Sequence, residues 1–189
     1  MNGLLKIKGV MYDSECFKLH ALAENSEYPV LNIGSYCGKS TAFLASGTKQ
    51  KVYAIDLWDL RAVDYEPTEN DKSRGYHQRA SYEAFVANMR KYGLTNVIPV
   101  KGDSREIGKV WNIPLGALFI DGDHRYKFAL SDYNLFAKHI VVGGWLAIHD
   151  YCINDVRKVI DETIIPSGLW TDFELIETLW VSKRGKNGH

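Results

Sequence analysis

Pro29-Val-Leu-Asn-Ile-Gly-Ser-Tyr-Cys-Gly-Lys-Ser-Thr41 is the stretch on which the fold of this chain turns. A short apolar run that stops at a glycine suits a strand buried on both faces. Ser40 to Ser46 then reads as a short helix, so the segment is a strand, a glycine-bearing loop and a helix. The same alternation continues downstream. Lys51 to Leu57 reads as a second strand. His77 to Tyr92 carries Tyr82, Phe85, Val86 and Met89 at helical spacing, with Gly93 placed as a terminator. Val97 to Lys101 is a third strand. Leu115 to Ile120 is a fourth, ending in Asp-Gly-Asp-His. Arg125 to His139 is helical. Gly143-Gly144 precedes a fifth strand, Trp145 to Ile148, which ends in His149-Asp150. Asp155 to Ile164 is helical, and Ser14 to Asn25 is an opening helix. Five strands separated by helices imply βαβ units and a mostly parallel sheet covered on both faces. The last two strand-like pieces, Phe173 to Thr178 and Leu179 to Lys183, have no helix between them, so they turn back as a hairpin and give the sheet an antiparallel edge.

Composition bounds the rest. The chain has 189 residues, 46% of them hydrophobic, which suits one domain able to bury a core without staples. The expected organisation is a single domain over 1–185, with an N-terminal helical segment at 1–28, a possible lid loop at 59–76 and a short tail at 186–189. Lys plus Arg and Asp plus Glu are 23 each, so the formal charge is zero. That argues against a nucleic-acid partner, which rewards clustered positive charge. Three cysteines with no CxxC suit a reducing compartment. No apolar run is long enough to span a membrane, and the N-terminus lacks the apolar core of a signal peptide. The expectation is a cytoplasmic protein with no membrane association. A homodimer is a further expectation, although no face is indicated.

In doubly wound sheets, ligands bind beyond the carboxyl ends of the strands. Those ends carry Gly34-Ser-Tyr-Cys-Gly38, Asp56, Asp103, Asp121-Gly-Asp123 and His149-Asp150. The glycine loop is not a P-loop, because three residues rather than four separate its first glycine from Gly38-Lys39. It is not a dinucleotide loop either, because Tyr36 occupies the position where the backbone must approach a pyrophosphate. Yet Asp56 follows Gly34 by 22 residues, close to where an acid meets an adenosine ribose. An adenosyl ribose without a pyrophosphate describes S-adenosylmethionine. Its carboxylate would sit at the N–H groups opening the helix at Lys39 and Ser40. Asp103 is placed either to accept from the adenine amine or to cap a helix.

These motifs resemble the class I S-adenosylmethionine-dependent methyltransferases. The closest likeness is to a small subgroup with Gly34-Ser-x-x-Gly-x-Ser-Thr41, Asp121-Gly-Asp-His-x-Tyr126 and His149-Asp-Tyr151; Asp56-Leu-Trp58 and Gly102-Asp-Ser104 also match. The resemblance runs from about Val30 to Lys183. It implies a Rossmann-like, doubly wound, seven-stranded sheet of order 3-2-1-4-5-7-6 with one antiparallel edge strand. It implies cofactor contacts from Asn32, Gly34, Ser35, Tyr36, Gly38, Lys39, Ser40, Asp56, Leu57, Trp58, Gly102, Asp103, Ser104 and Asp121. Asn32 stands where the family often has an acid, so it offers hydrogen bonds but no charge.

In that strand order Asp121 and Asp150 end neighbouring strands about 4.8 Å apart. Two carboxylates that close repel, unless a cation lies between them. The resemblance suggests Mg²⁺ there, binding an acceptor hydroxyl and lowering its pKa. Asp123, His149 and Asn154 are further candidate ligands. The alternative is that Asp121 or Asp150 caps a helix and Asp123 faces water. His124 and His149 are candidate bases, with Asp121 beside them in the catalytic set. The chain has no Pro-Pro aromatic loop after the fourth strand and no Pro-Cys pair, which favours a small or glycan-like acceptor over a DNA base; that the methylated atom is a small-molecule or sugar hydroxyl is what the resemblance implies. Two alternatives remain: a glycosyltransferase using Asp121-x-Asp123, and a non-catalytic cofactor-binding or scaffold domain.

Overall fold

Seven strands hydrogen-bond into one sheet in the computed structural model, which describes residues 1–24, 26–58 and 82–186. The strands are β1 (Val30–Ile33), β2 (Val52–Asp56), β3 (Val97–Lys101), β4 (Leu115–Ile120), β5 (Ile140–Ile148), β6 (Trp170–Ile176) and β7 (Leu179–Arg184). Their order is β3-β2-β1-β4-β5-β7-β6, the order that the resemblance implies. The first five are parallel, and β7 runs antiparallel to both β5 and β6. Among the described residues the α-helices are α1 (Asp13–Ala23), α2 (Lys39–Gly47), α3 (Tyr82–Lys91), α4 (Ser104–Val110), α5 (Tyr126–Phe136) and α6 (Asn154–Val159), the last continuing as a π-helical turn over Ile160–Ile164. The proposed lid at 59–76, the first residues of the helix expected from His77, and residues 187–189 lie outside the described residues.

The core is split by the two-residue period of the strands. In β4, Ala117 and Phe119 face one cluster while Leu118 and Ile120 face the other. In β1, Val30 faces the first cluster and Leu31 the second. The first cluster takes in α1, α2 and α3, through Leu19, Phe43 and Phe85. The second takes in α5 and α6, through Tyr133, Phe136 and Val156. Both faces of the central strands are therefore covered, which is why they read as continuous apolar runs rather than as alternating ones.

Two details differ from the sequence expectation. β5 starts at Ile140, before the glycine pair. Leu115 pairs with Ile140 and Ala117 with Trp145, so residues between them bulge out. Gly143 takes φ 82, and a Cβ at Gly144 would lie 2.8 Å from the Gly116 carbonyl oxygen. The glycines thus let an existing strand bulge rather than introduce a new one. The second detail is α4, which the sequence signalled only through the alternative that Asp103 caps a helix. It is seven residues long and opens at Asp103, whose side chain accepts from the Arg105 N–H.

Candidate functional site

The carboxyl ends of five strands are brought level by backbone hydrogen bonds that run one residue past the strands. Gly102 N–H donates to the Asp56 carbonyl, Gly34 to Ile55, Asp121 to Ile33 and His149 to Ile120, all at 2.9–3.0 Å. The ladder therefore sets Gly102, Asp56, Gly34, Asp121 and His149 side by side. The fit is tight between β1 and β4. A Cβ at Gly34, which has φ +83, would sit 2.0 Å from the Asp121 carbonyl oxygen. Only glycine permits both that backbone angle and that approach.

Asp56 organises the glycine loop. Its Oδ2 accepts from Tyr36 N–H at 2.8 Å and its Oδ1 from Trp58 N–H at 2.7 Å. Both donors are left-handed, with φ 46 at Tyr36 and φ 44 at Trp58. Such angles cost a bulky residue roughly 1–2 kcal/mol each. One carboxylate thus offsets the strain at two positions, and Trp58 Nε1 adds a 2.9 Å bond to the Tyr36 carbonyl. A carboxylate has about four acceptor sites, so two on Asp56 are unused among the described residues. Leu57, between the two, is partly exposed.

Beneath the loop lie several of the residues expected to contact the cofactor. Asn32 is fully buried, and its Nδ2 donates to Ser40 Oγ at 3.0 Å and Thr41 Oγ1 at 2.7 Å. Ser35 and Ser40 are also buried. Gly38 takes φ 93 at the start of α2, where a Cβ would press on Met89 and Phe85. Lys39 turns towards the N-terminal segment, with Nζ 3.5 Å from the Met11 carbonyl. The Asp103 carboxylate caps α4 and also meets the Arg105 guanidinium, which holds its pKa below the usual carboxylate range. Ser104 Oγ donates to Asp132 Oδ1 at 2.6 Å.

Asp121 and Asp150 converge with two imidazoles. His124 Nε2 lies 3.1 Å from Asp150 Oδ2 and 3.6 Å from Asp121 Oδ1. His149 Nδ1 lies 3.3 Å from each of the same two oxygens. Ligand atoms of Asp121, His124 and Asp150 all fall within 4.8 Å of one another, a grouping that could hold a metal ion. Asp150 takes φ 60, which turns the chain sharply at the end of β5. Burial opposes charge on both rings, but the facing carboxylates outweigh it. They raise the His124 pKa to about 10 and raise that of His149 as well. In return the imidazoles hold Asp121 and Asp150 ionised, against the burial that opposes their charge. His124 is 39% exposed and His149 only 5%.

Two expected ligands do not join this group. The Asp123 carboxylate accepts from the Arg125 backbone N–H and guanidinium. Asn154 accepts from Arg157 at 3.2 Å. Asp121 and Asp123 thus serve different partners. Sequence reasoning also missed Glu15, which is fully buried and lies 3.0 Å from His149 Nε2. Its signal was present: Glu15 falls on the same helical stripe as Leu19 and Leu22, both buried. An acid on an apolar stripe needs a buried partner.

This geometry can be set beside known proteins. A family model described as a methyltransferase domain matches residues 31–151. Uncharacterized protein R132 of Acanthamoeba polyphaga mimivirus is 47% identical over 129 residues, 68% of this chain and 53% of that protein. The chain therefore spans about half the length of that curated relative. Among solved structures, the O-methyltransferase NovP superposes with a TM-score of 0.76 at 16% identity, covering 92% of this chain and 80% of that one. The O-methyltransferase TomG from Streptomyces achromogenes, solved with S-adenosylmethionine, gives 0.69 at 13% identity, covering 93% and 82%. The O-methyltransferase from Bacillus cereus, solved with S-adenosylhomocysteine, gives 0.65 at 14%, covering 97% and 87%. With the matched segment running from β1 through the end of β5, the chain belongs to the methyltransferase-domain family and has the class I fold of S-adenosylmethionine-dependent methyltransferases.

Proposed function

We propose that this chain transfers a methyl group from S-adenosylmethionine to a hydroxyl of a small molecule or sugar, with a divalent cation at Asp121 and Asp150. The observation that carries the reading is the paired carboxylates on adjacent strand ends, beside the glycine loop and with two imidazoles facing them. Asp56 takes the ribose through its two free acceptor sites. The loop from Gly34 to Gly38 and the N–H groups at the start of α2 take the amino-acid end. The turn Gly102–Ser104 lines the adenine edge, with Asp103 as its cap. Asn32 and Ser40 act from beneath, by fixing β1 to α2.

The residues present fit a cation. Two carboxylates face two buried, poorly satisfied imidazole nitrogens, His124 Nε2 and His149 Nδ1. When bound there, the ion would lower the pKa of the acceptor hydroxyl and orient it. His124, the more exposed imidazole, stands at the acceptor side with Nε2 paired to Asp150 and Asp121, which raise its pKa; in that state it orients the acceptor hydroxyl rather than taking its proton. Asp150 holds the His124 ring at 3.1 Å. Methyl transfer demands an in-line approach, and the strand order puts Asp121 one strand and Asp150 two strands from the donor loop on β1.

Isothermal titration with S-adenosylhomocysteine, followed by turnover on a panel of hydroxyl-bearing acceptors, tests the reading. Micromolar binding and turnover that EDTA abolishes and a divalent cation restores are expected. Tight cofactor binding without methylation of any acceptor would favour the scaffold reading. Turnover indifferent to EDTA would remove the cation.

A further inference from the structure

We propose that Asp132 is the residue that selects adenine in the cofactor, its Oδ2 accepting from the 6-amino group. The inference rests on the reading that the chain binds S-adenosylmethionine, and it moves recognition of the base from Asp103 to a buried acid on α5.

Asp103, Asp123 and Asp132 stand around the turns that follow β3 and β4, and two of them are consumed. Both oxygens of Asp103 accept from the Arg105 guanidinium, and Oδ1 also accepts from Arg105 N–H. Asp123 is held in the same way by Arg125. The two guanidiniums lie against one ring, 4.6 and 4.3 Å from the centroid of Phe128. A guanidinium forked onto a carboxylate and stacked on an aromatic face is fixed from two sides. Neither Asp103 nor Asp123 is therefore offered to the amine of a base.

Asp132 is only half engaged. It is 3% exposed, and its Oδ1 accepts from Ser104 Oγ at 2.6 Å. Its Oδ2 has no hydrogen-bond partner among the described residues. A buried carboxylate with one donor is short of partners, and buried polar groups in folded proteins are paired. Oδ2 lies beside Gly122, where a Cβ would come within 3.3 Å of it. The missing side chain keeps that approach open. Ser104 belongs to the turn that lines the adenine edge and Gly122 follows Asp121, so Oδ2 stands between the two turns. The group that fits there is planar, neutral and a donor, as the 6-amino group of adenine is. A 6-oxo purine would present a carbonyl oxygen to the carboxylate instead, and two acceptors repel.

The test uses the full chain at about pH 8, where a carboxyl with a pKa of about 6 is ionised. Calorimetry compares S-adenosylhomocysteine with its analogue carrying hydrogen in place of the 6-amino group. The wild type should bind the analogue roughly 10–100-fold more weakly, the scale of a hydrogen bond to a charged group. Asp132→Ala should bring the two affinities within about threefold of each other. Asp103→Asn should keep the wild-type ratio, whatever it does to the two affinities. The ratio is the readout because a purely structural role for Asp132 would weaken both ligands alike. Melting curves check folding. If Asp132→Ala does not fold, Asp132→Asn keeps the volume without the charge and should lower the preference roughly tenfold. Equal affinity of the wild type for both ligands, or a preference that survives in the Asp132 variants, would overturn the proposal and leave the cofactor reading standing. A preference lost in Asp103→Asn and kept in the Asp132 variants would return the base to Asp103. No binding of either ligand to the folded wild type would overturn the cofactor reading, and this proposal with it.

Discussion

Glu15 in the first turn of α1 meets His149 at the end of β5 at 3.0 Å, across 134 residues of chain. Both side chains are buried, and the contact joins the N-terminal helix to the carboxylate pair. Removing one member of a buried, hydrogen-bonded ion pair leaves the other uncompensated. Glu15→Ala should therefore lower unfolding stability by about 3–5 kcal/mol. Urea denaturation measures it. A loss below about 1 kcal/mol would mean the pair is not held as described.

The Gly34 position tolerates no side chain. Gly34→Ala would place a methyl 2.0 Å from the Asp121 carbonyl oxygen at φ +83. The backbone angle alone costs roughly 1–2 kcal/mol, and the displacement of β4 adds to it. The expected result is a lower melting temperature and loss of S-adenosylhomocysteine binding together. A variant with wild-type melting and binding would show that the β1 and β4 ends are further apart.

Asp56 is expected to act twice, on the ligand and on the loop. Asp56→Ala removes the acceptor for the N–H groups of Tyr36 and Trp58, both left-handed. Cofactor affinity should fall by about 1.5–3 kcal/mol, the scale of a hydrogen bond to a charged group. Calorimetry with S-adenosylhomocysteine reads this loss. The melting temperature should fall in the same variant. Unchanged affinity alongside lower stability would place the ribose elsewhere.

Asp132 gives the chain a pH dependence. It is 3% exposed, and burial pushes its carboxyl up to about 6, with Asp103 and Asp123 adding to the rise and the Ser104 hydroxyl opposing it. An unfolded aspartate loses its proton near pH 3.9. Between about pH 4 and 6 the folded state holds more protons than the unfolded chain, so stability from this group falls as pH rises. The loss is complete above about pH 6. Asp132→Asn removes it. Relative to wild type, the variant should gain on the order of 1–3 kcal/mol at about pH 8 and little near pH 4. Urea unfolding at the two pH values compares them, and an equal gain at both would exclude the buried acid as the cause.

Much of the architecture is legible along the chain because each central strand is largely apolar on both faces and ends at a glycine, an acid or a histidine. The run Val30 to Ile33 followed by Gly34, and Leu115 to Ile120 followed by Asp121, announce strands and their ends without reference to anything distant. Helix α4 was legible only as the alternative that Asp103 caps a helix. Ser-Arg-Glu-Ile-Gly-Lys-Val is short and has only one residue, Gly108, fully buried, so no apolar stripe marks it. The bulge in β5 was half legible, since the glycine pair signals irregularity but not on which side of it the strand begins.

The sequence by itself determined the doubly wound sheet, the glycine loop and the presence of acids and histidines at the strand ends, because those depend on period and on residues adjacent in the chain. Only the tertiary structure decided how the acids divide. Asp121 and Asp150 turn to the histidines, Asp123 and Asp103 turn to the arginines two residues on, and Asp56 turns to the strained N–H groups of its own neighbourhood. A carboxylate's role is set by which donor lies within about 3 Å, and spacing in sequence does not fix that. The same holds for Glu15, whose partners arrive from β5 and from the turn before β7 and become its neighbours only when α1 packs against the sheet.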